Sequence, residues 1–133
     1  MSDKKGDLIT REGWTHNRTF DQDDVEKVGV RATMNPPIRY TEDKEKLWSR
    51  LKDGTIECIV TDYALHTLEA KSVGFPKASA VMPGVETSLP RMLTHAKEGT
   101  CSISDIVRGM CAGAAQVYPI KTKGSLIAGF DGD

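Results

Sequence analysis

The chain has 133 residues, with 18 lysines and arginines against 19 aspartates and glutamates; a net charge of −1 gives no basic field to attract nucleic acid. Its apolar content is 38% and its mean hydropathy −0.39, with no long apolar run, so no membrane span is expected and the length suits one modest domain. The three cysteines, Cys58, Cys101 and Cys111, form no CxxC pair and are expected to be reduced, mostly buried thiols of a cytoplasmic protein.

Residues 1–13 are polar, lack the apolar core of a signal peptide and are expected to be flexible, although Leu8-Ile9 could start a short strand. Trp14 to Phe20 is a mixed segment, and Asp21 to Lys27 suits one helical turn, acids first and Lys27 last. Met34-Asn35-Pro36-Pro37-Ile38-Arg39 is extended and rigid, because two prolines fix φ and remove two donors. Asn35 is either a polar group held by that rigid mount or a plain turn residue.

Thr41 to Lys52 is the clearest helix, with Thr41 as N-cap, acids in the first turn and an apolar stripe of Leu47, Trp48 and Leu51. Gly54 follows where a helix end favours positive φ. Ile56 to Thr61 reads as a buried strand, and helix, glycine turn and strand together make a parallel α/β unit. Asp62 comes directly after the strand. It either caps the next turn or stands at the strand's C-terminal mouth, where α/β folds place their chemistry; spacing alone leaves both open.

After His66 come Thr67 to Lys71, and then a long irregular stretch runs to Gly84, the kind of segment that covers a substrate. A second helix is expected to start at Thr87 or Ser88, so that Pro90 lies in its first turn, with Leu89, Met92, Leu93 and Ala96 on one face. A third begins at Ser102, with Asp105 completing a capping box and Ile103, Ile106, Val107 and Met110 facing inward. Gly124 to Asp133 looks like the start of a β segment.

Four pieces then fall in one order: Asn35-Pro36-Pro37-Ile38-Arg39, Asp53-Gly54-Thr55-Ile56, Thr61 to Lys71, and Pro83 to Pro90. They resemble the C-terminal portion of a class I dihydroorotase, of the cyclic amidohydrolase superfamily, whose motifs read NPPLR, DGTID, TDHAPHTLEEK and PGxETSLP. Thr15-His16-Asn17 stands where that family has TPHH, and residues 124–133 are similar to its GxIxxGxDAD element. The resemblance covers residues 14–133.

It implies an α/β fold: the C-terminal part of a (β/α)8 barrel over residues 14–123, incomplete, with the start of a truncated flanking β segment at 124–133. It implies a hydrolase opening or closing the cyclic amide of dihydroorotate and N-carbamoyl-aspartate in pyrimidine biosynthesis, by a zinc-hydroxide mechanism with one or two zinc ions. Asp62 then matches a zinc ligand that shuttles a proton to the leaving nitrogen, and Asn35 and His66 match substrate contacts. His16 matches no metal-ligand position.

The departures are as informative. The family's HxH pair, its bridging lysine or aspartate and its two later histidine ligands have no counterpart here. DHAPH reads Asp62-Tyr63-Ala64-Leu65-His66, Phe-Gly reads Ala80-Val81, and NPA reads Gly113-Ala114-Ala115. A barrel of this kind needs upwards of about 200 residues. The expectation is therefore an enzyme fragment inactive alone, working with a small cyclic amide and with a complementary half-barrel polypeptide or further copies of itself. The alternatives are a non-catalytic remnant or partner subunit of an amidohydrolase and, last, a stand-alone α/β binding module.

Overall fold

The computed structural model describes residues 9–132, so the expected flexibility of the first eight residues lies outside the described part. Two short strands, β1 (Glu12–Trp14) and β2 (Cys58–Val60), pair in parallel with Gly13 opposite Ile59. Around them lie α1 (Thr15–Thr19), α2 (Gln22–Val28), a 3-10 turn (Gly29–Ala32), α3 (Thr41–Lys52), α4 (Leu68–Ser72), α5 (Val85–Lys97), α6 (Ile103–Val107), a π turn (Arg108–Ala112) and α7 (Gly113–Val117). The order is that of a parallel α/β layer, helices packed on a small sheet. The two strands among the described residues do not close a barrel, and over residues 124–132 turns and bends stand where the start of a β segment was expected. There the Asp131 N–H donates to the Thr122 carbonyl at 2.8 Å and the Thr122 hydroxyl to the Asp131 carboxylate at 2.7 Å, closing a loop where a ladder was expected.

β1 falls at the edge of the segment read as flexible. It is held from afar: the Glu57 N–H donates to the Arg11 carbonyl at 3.0 Å, and the Arg11 N–H to the Glu57 carboxylate at 2.7 Å. α2 starts from a capping box in which Asp21 and Asp24 each accept the other's backbone N–H. The Lys44 ammonium beside Asp21 takes that carboxyl down to about 2. The same Asp21 accepts the Thr41 hydroxyl at 3.3 Å, so Thr41 is not the N-cap expected of it; Tyr40 holds that position with no side-chain bond.

The core joins Trp48 and Leu51 of α3, Ile59 of β2, Met92 of α5, Cys101 and Ile106. Trp48 donates its indole N–H to the Arg18 carbonyl at 3.0 Å and meets the His95 ring edge-on at 4.9 Å. α5 begins at Val85, two to three residues before the expected start, which puts Pro90 beyond the first turn. Pro90 has no N–H for the Glu86 carbonyl, and its own carbonyl accepts the Thr94 hydroxyl at 2.9 Å. The buried face of α5 centres on Ser88 and Met92, leaving Leu89 and Leu93 about half exposed.

The Ser102–Asp105 capping box forms as expected. After it the helix passes through the π turn, where Arg108 donates to the Leu51 carbonyl at 2.6 Å and ties the end of α3. Gly109 and Gly113 lie against β2: a Cβ on Gly113 would come within 1.8 Å of the Glu57 carbonyl oxygen. Cys58 and Cys101 are buried free thiols and Cys111 is an exposed one, in keeping with the mostly buried set expected. Among the described residues no helix is long and apolar enough to cross a membrane.

Candidate functional site

Both strands run toward the same end, so the residues that follow them converge. After β1 come Thr15 and His16, and after β2 come Thr61 and Asp62. Asp62 has φ 47°, left-handed backbone that an aspartate tolerates better than most residues. It does not cap the next helix: Thr67 does, accepting the Ala70 N–H at 3.1 Å. The side chain of Asp62 is exposed, and the group it influences is the buried His16 ring.

Burial pushes the pKa of His16 down, the Pro83 carbonyl and the Asp62 carboxylate push it up, and Lys71 pushes it down again. The net direction is downward, and the ring's Nδ1 has no hydrogen-bond partner. The ring fits only because residue 84 is glycine, since a Cβ there would lie 2.8 Å from His16 Cε1.

Behind this corner is a cavity of about 390 Å³ between α1, α4 and the start of α5. His16, His66 and Lys71 line it, together with the Thr15 and Ser88 hydroxyls, which share a 2.7 Å hydrogen bond. Of the three residues singled out from sequence, only His66 is on this wall. Asp62 lies beside it, and Asn35 is exposed ahead of a cis peptide to Pro36 and lines none of it.

Lys71 is buried, and its burial lowers its pKa. Its Nζ donates to the carbonyls of Arg31 at 3.1 Å and Thr33 at 3.2 Å. The Thr33 carbonyl also accepts the Val81 N–H at 3.0 Å. One oxygen thus joins the Asn35 loop, the helix after His66, and the segment leading to α5. Sequence reading passed over this knot. Its one signal was Lys71 itself, the last residue of the matched stretch from Thr61. In the same segment Val81 has φ 78°, a conformation a β-branched residue avoids.

A catalytic zinc takes about three protein ligands. Among the described residues no group of three histidine, cysteine, aspartate or glutamate side chains stands close enough to hold a metal ion. These residues do not by themselves fit the zinc that the family resemblance implies.

No family model matches the chain. It is 36% identical over 124 residues to a dihydroorotase of Halobacterium salinarum, covering 93% of this chain and 29% of that protein. A dihydroorotase of Trichlorobacter lovleyi is 38% identical over 125 residues, with 94% and 29% covered. An allantoinase of Streptomyces avermitilis is 34% identical over 129 residues, with 97% and 29% covered. Among solved structures, the L-hydantoinase (dihydropyrimidinase) from Arthrobacter aurescens superposes with a TM-score of 0.88 at 33% identity, over 94% of this chain and 29% of that one. A D-hydantoinase from Thermus sp. shares the fold, with a TM-score of 0.84 at 24% identity and the same coverage. The chain therefore spans 29% of the length of these relatives.

Proposed function

We propose, for a chain that corresponds to the C-terminal portion of a cyclic amidohydrolase, that it supplies one wall of a site hydrolysing a cyclic amide C–N bond. The substrate pair is dihydroorotate and N-carbamoyl-aspartate, the chemistry of pyrimidine biosynthesis. The observation that supports this is the 36% identity to a dihydroorotase across 93% of the chain, which takes in Asn35, Asp62 and His66.

In this reading water adds its oxygen to the amide carbon and the C–N bond breaks. The Asp62 carboxylate accepts the water's proton and returns it to the departing nitrogen, so charge balances through the step. Its exposed position beside His16 leaves it free to do so. His66 and Asn35 contact the substrate. Asp62 serves as a zinc ligand only if the remaining ligands come from outside the described residues, so no step above runs through the metal.

The chain alone is then inactive, and it acts in a cytoplasmic enzyme with a complementary half-barrel polypeptide. A barrel-forming partner must also cover the free edges of the two-stranded sheet. The test is dihydroorotate hydrolysis by the purified chain, alone and mixed with a polypeptide carrying the preceding part of a related barrel. The expected result is turnover only in the mixture and its loss in Asp62→Ala. Turnover by the chain alone, or activity surviving Asp62→Ala, refutes the proposal. The non-catalytic partner reading is favoured if the mixture binds zinc but does not turn over.

A further inference from the structure

The cavity between α1, α4 and α5 shares His66 with the reaction above, and the rest of its lining has no part in that reaction. Arg31, Lys71 and Arg91 all face it, and no aspartate or glutamate does. In a chain with 19 acids against 18 bases, such a segregation of cations runs against composition. Acids elsewhere in the molecule pair repeatedly: Asp21 with Lys44, Asp53 with Arg50, Asp105 with Arg108. The guanidinium groups of Arg31 and Arg91, by contrast, have no ion-pair or hydrogen-bond partner among the described residues.

The rest of the lining is mixed: Phe20, Leu68 and Met82 are its large apolar side chains, Leu68 being 73% exposed, while hydroxyls and the rings of His16 and His66 supply polar groups. A volume of about 390 Å³ lies within the range of small-molecule sites.

From these features we infer that the cavity is a binding site for a small amphiphilic carboxylate. The acid group sits against Arg31 and Arg91, and the apolar body lies on Phe20, Leu68 and Met82. A guanidinium satisfies both oxygens of a carboxylate through two parallel hydrogen bonds. A phosphate also satisfies the guanidinium groups, but it has no apolar body to lay on Phe20, Leu68 and Met82 and forgoes that part of the binding. Lys71 contributes its charge and its remaining N–H, the other two being engaged by the Arg31 and Thr33 carbonyls. The site contains neither Asp62 nor Asn35, and although His66 lines it, the contacts invoked here do not use His66, so the inference stands whether or not the chain takes part in amide hydrolysis.

The probe is phenylacetate, titrated into the full chain while the methyl resonance of Met82 is followed by NMR. Saturable shifts are expected, with affinity reduced about tenfold or more in the Arg31→Gln/Arg91→Gln double variant, as the loss of charge-assisted bonds predicts. Both arginines are exposed, so the double variant should keep its fold, which its unperturbed amide spectrum would verify. Phenylacetamide, the same size without the charge, should bind about tenfold more weakly or worse, and inorganic phosphate should bind more weakly than phenylacetate. Equal binding of phenylacetamide reduces the cavity to a greasy surface, and phosphate binding as tight as phenylacetate reduces it to a generic oxyanion site. Either outcome, an absence of saturation, or a folded double variant that binds undiminished overturns the inference.

Discussion

Replacing Gly113 with alanine sets two effects against each other. Helix propensity alone favours the change by about 1 kcal/mol, because glycine in a helix interior gives up more backbone entropy than alanine. The new methyl, however, would stand 1.8 Å from the Glu57 carbonyl oxygen, where ordinary contact starts near 3.4 Å. A backbone oxygen at the entry to β2 cannot swing aside like a side-chain tip, so helix and strand must part by roughly 1.5 Å. That motion also opens the packing of Gly109 on Ile59, where the Cβ position is already 2.8 Å from Ile59 Cδ1. Overpacking of this kind costs about 1–3 kcal/mol, and a clash with rigid backbone stands at or above the top of that range, so after the gain in propensity the net loss should be about 2 kcal/mol. Thermal unfolding followed by far-ultraviolet circular dichroism should show the midpoint falling by about 4–12 °C. Gln116→Ala, exposed one turn further on, should move it by less than about 2 °C. A Gly113→Ala midpoint at or above that of the parent would refute the reasoning, because propensity would then have outweighed the clash.

Val81→Gly should act in the opposite sense. Relief of left-handed strain is worth about 1–3 kcal/mol, the entropy of a new glycine takes back about 0.5–1, and the urea midpoint should rise; a lower midpoint counts against strain at φ 78°. Lys71→Met leaves the Arg31 carbonyl without its donor and should cost about 1–3 kcal/mol. Hydrogen exchange at the Val81 amide should quicken in that variant, and unchanged protection would show that the lysine holds nothing. Burial lowers the pKa of both His16 and His95, so the unfolded chain takes up protons first as pH falls below 6.5. Stability supplied by the two neutral rings is then complete above pH 6.5 and declines on acidification through their lowered folded values. His16→Gln should flatten the pH dependence of the unfolding midpoint between about pH 7 and 5, and a slope as steep as the parent's would remove His16 from the account.

What was legible in the sequence was what local pattern controls. Leu51 and Trp48 on one stripe of α3, positive φ at Gly54, and the reciprocal bonds of Ser102 and Asp105 follow from residues within a turn or two of each other. What stayed hidden depends on partners far along the chain. β1 is three residues long and exists because Arg11 meets Glu57, 46 positions away. The Lys71 knot spans 38 to 40 positions. Thr41 looked like a cap, but Asp21, a residue of another helix's start, takes its hydroxyl. Of the site, Asp62 follows β2 by two residues, and the cap of the next helix is Thr67, whose hydroxyl accepts the Ala70 N–H. Asn35 and His66 were grouped by motif, and that grouping did not predict that only His66 would line the cavity.

The shared carbonyl of Thr33 has a consequence for how this chain tolerates change. Three stretches distant in sequence report to one acceptor, so they do not vary as separate loops. The effect of a substitution at 71 depends on what residue 81 does with its N–H, and the reverse holds as well. Loss of either donor alone leaves the oxygen with the other, whereas loss of both strands it. Mutational drift in this region is therefore epistatic: the second change costs more than the first, and positions 71 and 81 carry a shared memory of each other's history.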